Sequence, residues 1–159
     1  MTPAPAHSPS LAVEGSVRSV LATKNPHVWT LPPDATVFEA ISLMANKSIG
    51  AILVTSGASV VGILSERDYA RKVILSGRSS KNTLVREIMS APVVTVSPDE
   101  SIQSCMHLMT EQRIRHLPVL DQGNIVGVVS IGDLIKAAIT ALAEAIRHLN
   151  AYISGGYAS

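Results

Sequence analysis

Two carboxylates occupy equivalent places in this chain, each three residues after a serine: Ser65-Glu66-Arg67-Asp68 and Ser130-Ile131-Gly132-Asp133. Each quartet follows a Gly-hydrophobic-hydrophobic run, Gly62-Ile63-Leu64 or Gly127-Val128-Val129, and opens a segment of helical character. An ionised carboxylate in the first turn of such a helix can accept two hydrogen bonds from the vicinal hydroxyls of a ribose, and charged acceptors make the stronger class of these bonds. A serine at the strand end brings a hydroxyl and backbone N–H groups to the helix N-terminus, where unpaired donors and the helix dipole favour phosphate. Ser-x-x-Asp is equally a plain capping arrangement, in which hydroxyl and carboxylate each take a free backbone N–H. One copy alone would be read as a cap; two copies in the same context point to a ligand.

The elements that carry these residues are duplicated too. Pro33-Asp34-Ala35-Thr36-Val37 recurs as Pro98-Asp99-Glu100-Ser101-Ile102, and Val61 to Asp68 recurs as Val126 to Asp133, both at an offset of 65 residues without a gap. A unit that keeps its spacing in this way is one supersecondary fold used in tandem. Each copy opens with a short helical stretch, Val17–Leu21 or Val85–Met89, followed by extended residues, Val28–Leu31 or Val93–Val96. A Pro-Asp then starts the main helix, with Val37, Ala40, Ile41 and Met44 in one copy and Ile102, Cys105, Met106 and Met109 in the other at helical spacing. Two close strands follow, 51–54 with 60–64 and 116–120 with 125–129, joined by Gly-containing polar turns. A second helix begins near Asp68 and near Asp133.

The expected fold is therefore α+β, of α/β type in its alternation: two tandem β-α-β-β-α repeats packed with pseudo-two-fold symmetry, since a half of about 60 residues is marginal alone. The expected division is a disordered tail over 1–14, a first repeat over 15–75, a linker over 76–83, a second repeat over 84–140 and a helix extension with its tail over 141–159. In that extension Leu134, Ile135, Ala138, Leu142, Ala145, Ile146 and Leu149 keep one apolar stripe. The stripe suits either a dimer surface or a helix folded back on its own domain.

Composition narrows the function classes. Hydrophobic residues are 47% of the chain, and thirteen basic against twelve acidic side chains leave a net charge of +1, with no electrostatic footprint for nucleic acid. Aromatics are only 3%, which leaves little for a base-stacking platform. The lone cysteine, Cys105, has no disulfide partner and falls on the apolar stripe of a helix, so it reads as core and not as a nucleophile. No apolar run approaches the roughly 18 residues of a membrane span. Met1 to Pro9 has neither the basic nor the apolar region of a secretion signal. The expectation is a cytoplasmic protein without membrane contact, metal or catalytic constellation.

Taken together and in order, the duplicated marks resemble the CBS domain, named for cystathionine β-synthase, which occurs in tandem pairs called Bateman modules. The marks are the Val-x-x-Ile/Val-Met/Leu before the first strand, the Pro-Asp helix start, Ile114-Arg115-His116-Leu117-Pro118-Val119-Leu120-Asp121 before Gly-x-Ile-Val-Gly, and the Ser-x-x-Asp pair. The resemblance spans roughly residues 17 to 140. It implies a stand-alone regulatory or signal-transduction module, not an enzyme, that binds an adenosine-containing ligand in the cleft between repeats: AMP first, with ADP, ATP or NAD as alternatives, and no required metal. It also implies a homodimer and a separate regulated protein. The rival reading is a nucleotide-independent dimerisation or protein-interaction module whose Ser-Asp pairs are only caps.

Carried over by position, the resemblance adds Ile49, Gly50 and Ala51 in the first copy and Ile114, Arg115 and His116 in the second, with adenine near Thr23 or Ser90. It implies that phosphates held from Asp68 meet Arg115 of the opposite copy, while those held from Asp133 meet Gly50. Arg115 and His116 also suit a solvated strand edge. Arg67, inside the first Ser-x-x-Asp, can add a phosphate contact that Gly132 cannot, so the Asp68 site, with Ser65, ranks above the site of Ser130 and Asp133 for a phosphorylated ligand. Arg71 and Lys72 read as surface charge.

Overall fold

The computed structural model describes residues 15–156; the expected tail over 1–14 lies outside the described residues. In order, the elements are α1 (Val17–Leu21), β1 (Thr30–Leu31), α2 (Val37–Lys47), β2 (Ala51–Ser56), β3 (Ser59–Ser65) and α3 (Glu66–Tyr69), which continues as a π-helical turn over Ala70–Ile74. Then come α4 (Val85–Ile88), α5 (Ile102–Gln112), β4 (His116–Asp121), β5 (Asn124–Ser130) and α6 (Ile131–Gly156). The main helices start where their caps place them: Thr36 accepts from the Glu39 N–H at 3.1 Å and Ser101 from the Ser104 N–H at 3.0 Å. Of each predicted stripe, Val37, Ala40 and Met44 in α2 and Ile102, Cys105 and Met109 in α5 are buried, while Ile41 and Met106 are partly buried against the cores.

Both hairpins are antiparallel and share one register, Ala51↔Ser65 through Ser56↔Ser59 and His116↔Ser130 through Asp121↔Asn124, with an irregularity at the same place. That register sets Ser65 opposite Ala51 and Ser130 opposite His116, so each Ser-x-x-Asp stands beside the start of its neighbouring strand. The opening strands are shorter than the β-branched runs suggest. Only Thr30 and Leu31 pair with β2, in parallel at Leu53 and Val54, and of 93–96 only Val96 bridges, to Val119. The reason is chemical: the next ladder bond in the second copy would come from the N–H of residue 118, and Pro118 has none, whereas Leu53 holds that place in the first copy.

The opening helices are exchanged between the copies. Val17 and Val20 of α1 are buried with Ile102, Leu117, Val129 and Leu134, whereas Val85 and Ile88 of α4 are buried with Val37, Ile52, Leu64 and Val73. The exchange is reciprocal in its hydrogen bonds. The Val17 and Arg18 N–H groups donate to Glu100 O and Pro98 O, both at 2.9 Å, as those of Val85 and Arg86 donate to Ala35 O at 2.8 Å and Pro33 O at 3.0 Å. N–H groups that a helix start leaves without partners are thus satisfied by the other copy's helix start.

A glycine seats each exchanged helix on its strand. A Cβ on Gly127 would come within 2.6 Å of Leu21 Cδ2, and one on Gly62 would overlap the Met89 side chain. Beyond this doubled core, α6 runs on, and Leu142 through Ile153 are exposed to solvent, so the helix does not fold back on its own repeat.

Gly127→Ala should therefore force α1 off β5 and lower unfolding stability by about 1–3 kcal/mol, the usual range for overpacking. Chemical denaturation of parent and variant reads this directly; parent-like stability would show that Leu21 yields freely and that the close seat is not a constraint.

Candidate functional site

The exchange brings the chain leaving each opening helix to the other copy's Ser-x-x-Asp. Both quartets form the cap that their spacing predicts. Asp68 N–H donates to Ser65 Oγ at 3.2 Å while Ser65 N–H donates to Asp68 Oδ2 at 3.0 Å; the Ser130–Asp133 pair repeats this at 3.1 and 2.9 Å. Capping leaves acceptor capacity on each carboxylate. At Asp68 the second oxygen, Oδ1, accepts from the Ser90 hydroxyl at 3.2 Å, and the Ser65 hydroxyl also donates to Oδ2 at 3.0 Å. Both donors are rotatable hydroxyls, which an incoming diol can replace without breaking the backbone cap.

Asp68 lines a cavity of about 450 Å³ with Ser65, Arg67, Ser90, Ile114, Arg115, His116 and Gly50, at the junction of the two repeats. Five cations face it, Arg67, Arg71, Lys72, Arg113 and Arg115, against the acids Glu66 and Asp68. Arg71 and Lys72 are exposed, as surface charge is, and also border the cavity. Lys72 Nζ lies 3.2 Å from Asp68 Oδ1 and donates to Ile88 O at 2.9 Å.

Asp133 lines the other cavity, about 1080 Å³, with Ser130, Ile49, Gly50, Ala51 and His116. Ile49 and Ala51 border the Asp133 cavity and not that of Asp68, although Ala51 pairs with Ser65 in the hairpin register. Thr23 is absent from both walls and spends its hydroxyl on Val20 O at 2.8 Å. Ala22 holds the position matching Ser90, and from two residues on the Lys24 ammonium reaches Asp133 Oδ2 at 2.6 Å and Val128 O at 2.8 Å. Burial opposes ionisation of Asp133, but the Lys24 ammonium and the Ser130 N–H overcome it and hold the carboxyl below the ordinary range. His27 and Trp29 complete this wall, their rings 4.1 Å apart, with Lys47 Nζ 4.5 Å from the Trp29 ring.

Lys24, Lys47, His27 and Trp29 were not among the residues picked from sequence. The one signal available was length: Pro33 lies sixteen residues after Val17, but Pro98 only thirteen after Val85. Gly50 and His116 line both cavities, and a Cβ added to Gly50 would fall 3.3 Å from His116 Nε2. Burial pushes the His116 imidazole down, and the Lys24 and Arg115 charges add to this against the opposing pull of Asp133 and Glu66. Cys105 is fully buried, and burial with the Glu100 charge pushes its thiol up to about 11, so it remains an unreactive core group. Among the described residues no helix is long and apolar enough to cross a membrane.

Comparison with known proteins accords with this geometry. The CBS domain family model matches residues 17–74 and again 85–140. The chain is 43% identical over 129 residues to the mitochondrial CBS domain-containing protein CBSX3 of Arabidopsis thaliana, covering 78% of this chain but only 63% of that protein's length. It is 40% identical over 116 residues to the CBS domain-containing protein YhcV of Bacillus subtilis, covering 73% of this chain and 82% of YhcV. A solved CBS-domain protein from Burkholderia ambifaria superposes with a TM-score of 0.77 at 50% identity, covering 79% of this chain and 95% of that one.

His116 gives a pH prediction whose sign is fixed. Its folded value lies below the ordinary 6.5, so between the two values the unfolded chain binds more protons and stability rises with pH. The thermal midpoint should fall as pH drops from about 7.5 to about 5, and His116→Gln should flatten that slope. Loss from Asp133 enters only below its ordinary 3.8 and is separable. An unchanged slope in His116→Gln would contradict the burial of a neutral imidazole.

Proposed function

The chain belongs to the CBS-domain family, and from that we propose that it is a regulatory module that binds an adenine nucleotide in the cleft between its repeats. AMP is the first candidate, with ADP, ATP or NAD as alternatives. The observation that carries the reading is the Asp68 cavity, where a capped carboxylate with replaceable hydroxyl partners stands across from Arg115 of the other repeat. A ribose diol on Asp68 leaves the 5′-phosphate to run toward the cations of the cavity, where the guanidinium of Arg115 presents a fork of donors suited to it. The adenine then lies along Ile114 and the chain following Ser90. This supports a phosphorylated ligand at Asp68 ahead of one at Asp133.

On this reading the module acts as a sensor, in keeping with its membership of the CBS-domain family. Its output passes to a separate regulated protein. A reducing compartment such as the cytoplasm suits a chain with one buried thiol, although the Arabidopsis relative is named as mitochondrial.

Dimerisation belongs to the same proposal. Ile135, Ile139, Leu142, Ile146, Leu149 and Ile153 recur on α6 at alternating steps of four and three, and each is 45–63% exposed. That is a heptad seam with isoleucine at 139, 146 and 153 and leucine at 142 and 149, the combination that favours two parallel helices. A second copy of this chain is the partner that the seam fits. Light scattering at micromolar concentration should report twice the mass of one chain, and Ile146→Lys should return it to one. A parent already at the mass of one chain would contradict the seam.

The nucleotide reading is tested by titrating AMP and adenosine into parent and Arg115→Ala protein. The variant should lose about ten- to a hundredfold in affinity for AMP, the worth of a charge-assisted contact, and little for adenosine, which has no phosphate. Equal losses would assign Arg115 to packing and remove the phosphate from the cleft.

A further inference from the structure

The repeats are least alike where each anchor meets the chain leaving the exchanged helix. At Asp68 that chain is paired to the strand: the Ser90 N–H donates to Ile63 O at 2.9 Å, the Ile63 N–H to Ser90 O at 3.1 Å, and the Ser90 hydroxyl to the carboxylate at 3.2 Å. At Asp133 the corresponding chain turns away after Ala22 and is three residues longer before it rejoins the repeat. The groups it leaves behind are Val128 O, the counterpart of Ile63 O, and the Asp133 carboxylate. Lys24 Nζ takes both, at 2.8 and 2.6 Å. One ammonium thus replaces a backbone N–H and a serine hydroxyl, and it does so from a flexible side chain.

The consequence for a diol is unequal. A hydroxyl turns aside at little cost, but expelling the ammonium breaks a charge-assisted bond and leaves Val128 O to be paired again. Lys72 beside Asp68 is not an equivalent barrier. It lies on the same helix as Asp68, four residues on, and its hydrogen bond goes to Ile88 O; its counterpart in the second copy is Ala137.

We propose that Lys24 sets the site preference of the module, competing with the ribose diol for Asp133 so that nucleotide fills the Asp68 site first and engages both oxygens of Asp133 only by displacing the ammonium from Oδ2. This rests on the nucleotide reading above. The displaced side chain belongs to the loop that carries His27 and Trp29 along the same wall, so filling of the second site alters the surroundings of the only tryptophan in the chain.

The test is calorimetric titration of AMP into the full parent chain, Lys24→Met and Lys24→Met/Asp133→Ala, with Trp29 fluorescence followed in parallel. The parent should show one tight AMP per chain. Lys24→Met should tighten a second by about ten- to a hundredfold, the range for a charge-assisted competitor, and Asp133→Ala should abolish that gain. Fluorescence in the parent should stay flat through the first equivalent and change with the second. Two equal sites in the parent, a single site in Lys24→Met, or a tryptophan change on the first equivalent would overturn the assignment of Lys24 while leaving nucleotide binding intact. No AMP binding to any of the three proteins would overturn the nucleotide reading and this inference together.

Discussion

Everything at the cleft depends on the exchange of the opening helices. Because α1 is built into the second core and α4 into the first, neither repeat completes its core without the other. The contact is held by backbone bonds from each helix start to the other copy's Pro-Asp turn, and by a glycine that lets the exchanged helix lie against the strand. That glycine begins the run leading to Ser65 or Ser130. The same strand therefore seats the foreign helix and delivers the anchor carboxylate, which is why each Asp finds its neighbours in the chain leaving the other copy's helix. A stability defect at Gly62 or Gly127 is accordingly also a defect in cleft geometry.

Capping and the proposed binding are compatible at the two carboxylates. Ser-x-x-Asp is a cap in both copies, and the cap fixes where the carboxylate points. The carboxylates differ in what else faces them: the Ser90 hydroxyl and the Lys72 ammonium at Asp68 Oδ1, beside a cationic cavity, and the Lys24 ammonium at Asp133 Oδ2, the oxygen that also takes the cap N–H. Duplication thus supplies two copies of one device, and a change of three residues in a connecting loop separates their chemistry.

Much of this was legible in the residues. The offset of 65 located both hairpins and both main helices, because Gly, Pro-Asp and the apolar spacing act locally. The shortened strand at 93–96 was legible in principle too, since Pro118 advertises its missing donor. The exchange was not. Val17 and Val85 carry an apolar face but nothing that names the core it enters, and that choice is made by the length of the connections and by long-range packing. Ile49 and Ala51 border the opposite anchor from the one that sequence order suggests. Lys24 is not legible in the sequence, because a lysine in a loop carries no mark of solvated charge or site charge until the fold sets it against Asp133.

The central claim is that the Asp68 carboxylate is a ribose anchor as well as a helix cap, and a single titration addresses it. AMP is titrated by calorimetry into parent and Asp68→Ala protein, with circular dichroism to show that both are folded. If ribose sits on Asp68, the variant loses two charge-assisted bonds and binds AMP about a hundredfold more weakly, beyond the roughly 1 kcal/mol that loss of the cap costs in stability. If Asp68→Ala is less stable yet binds AMP as tightly as the parent, the carboxylate is a cap alone and the nucleotide, if bound, is held elsewhere.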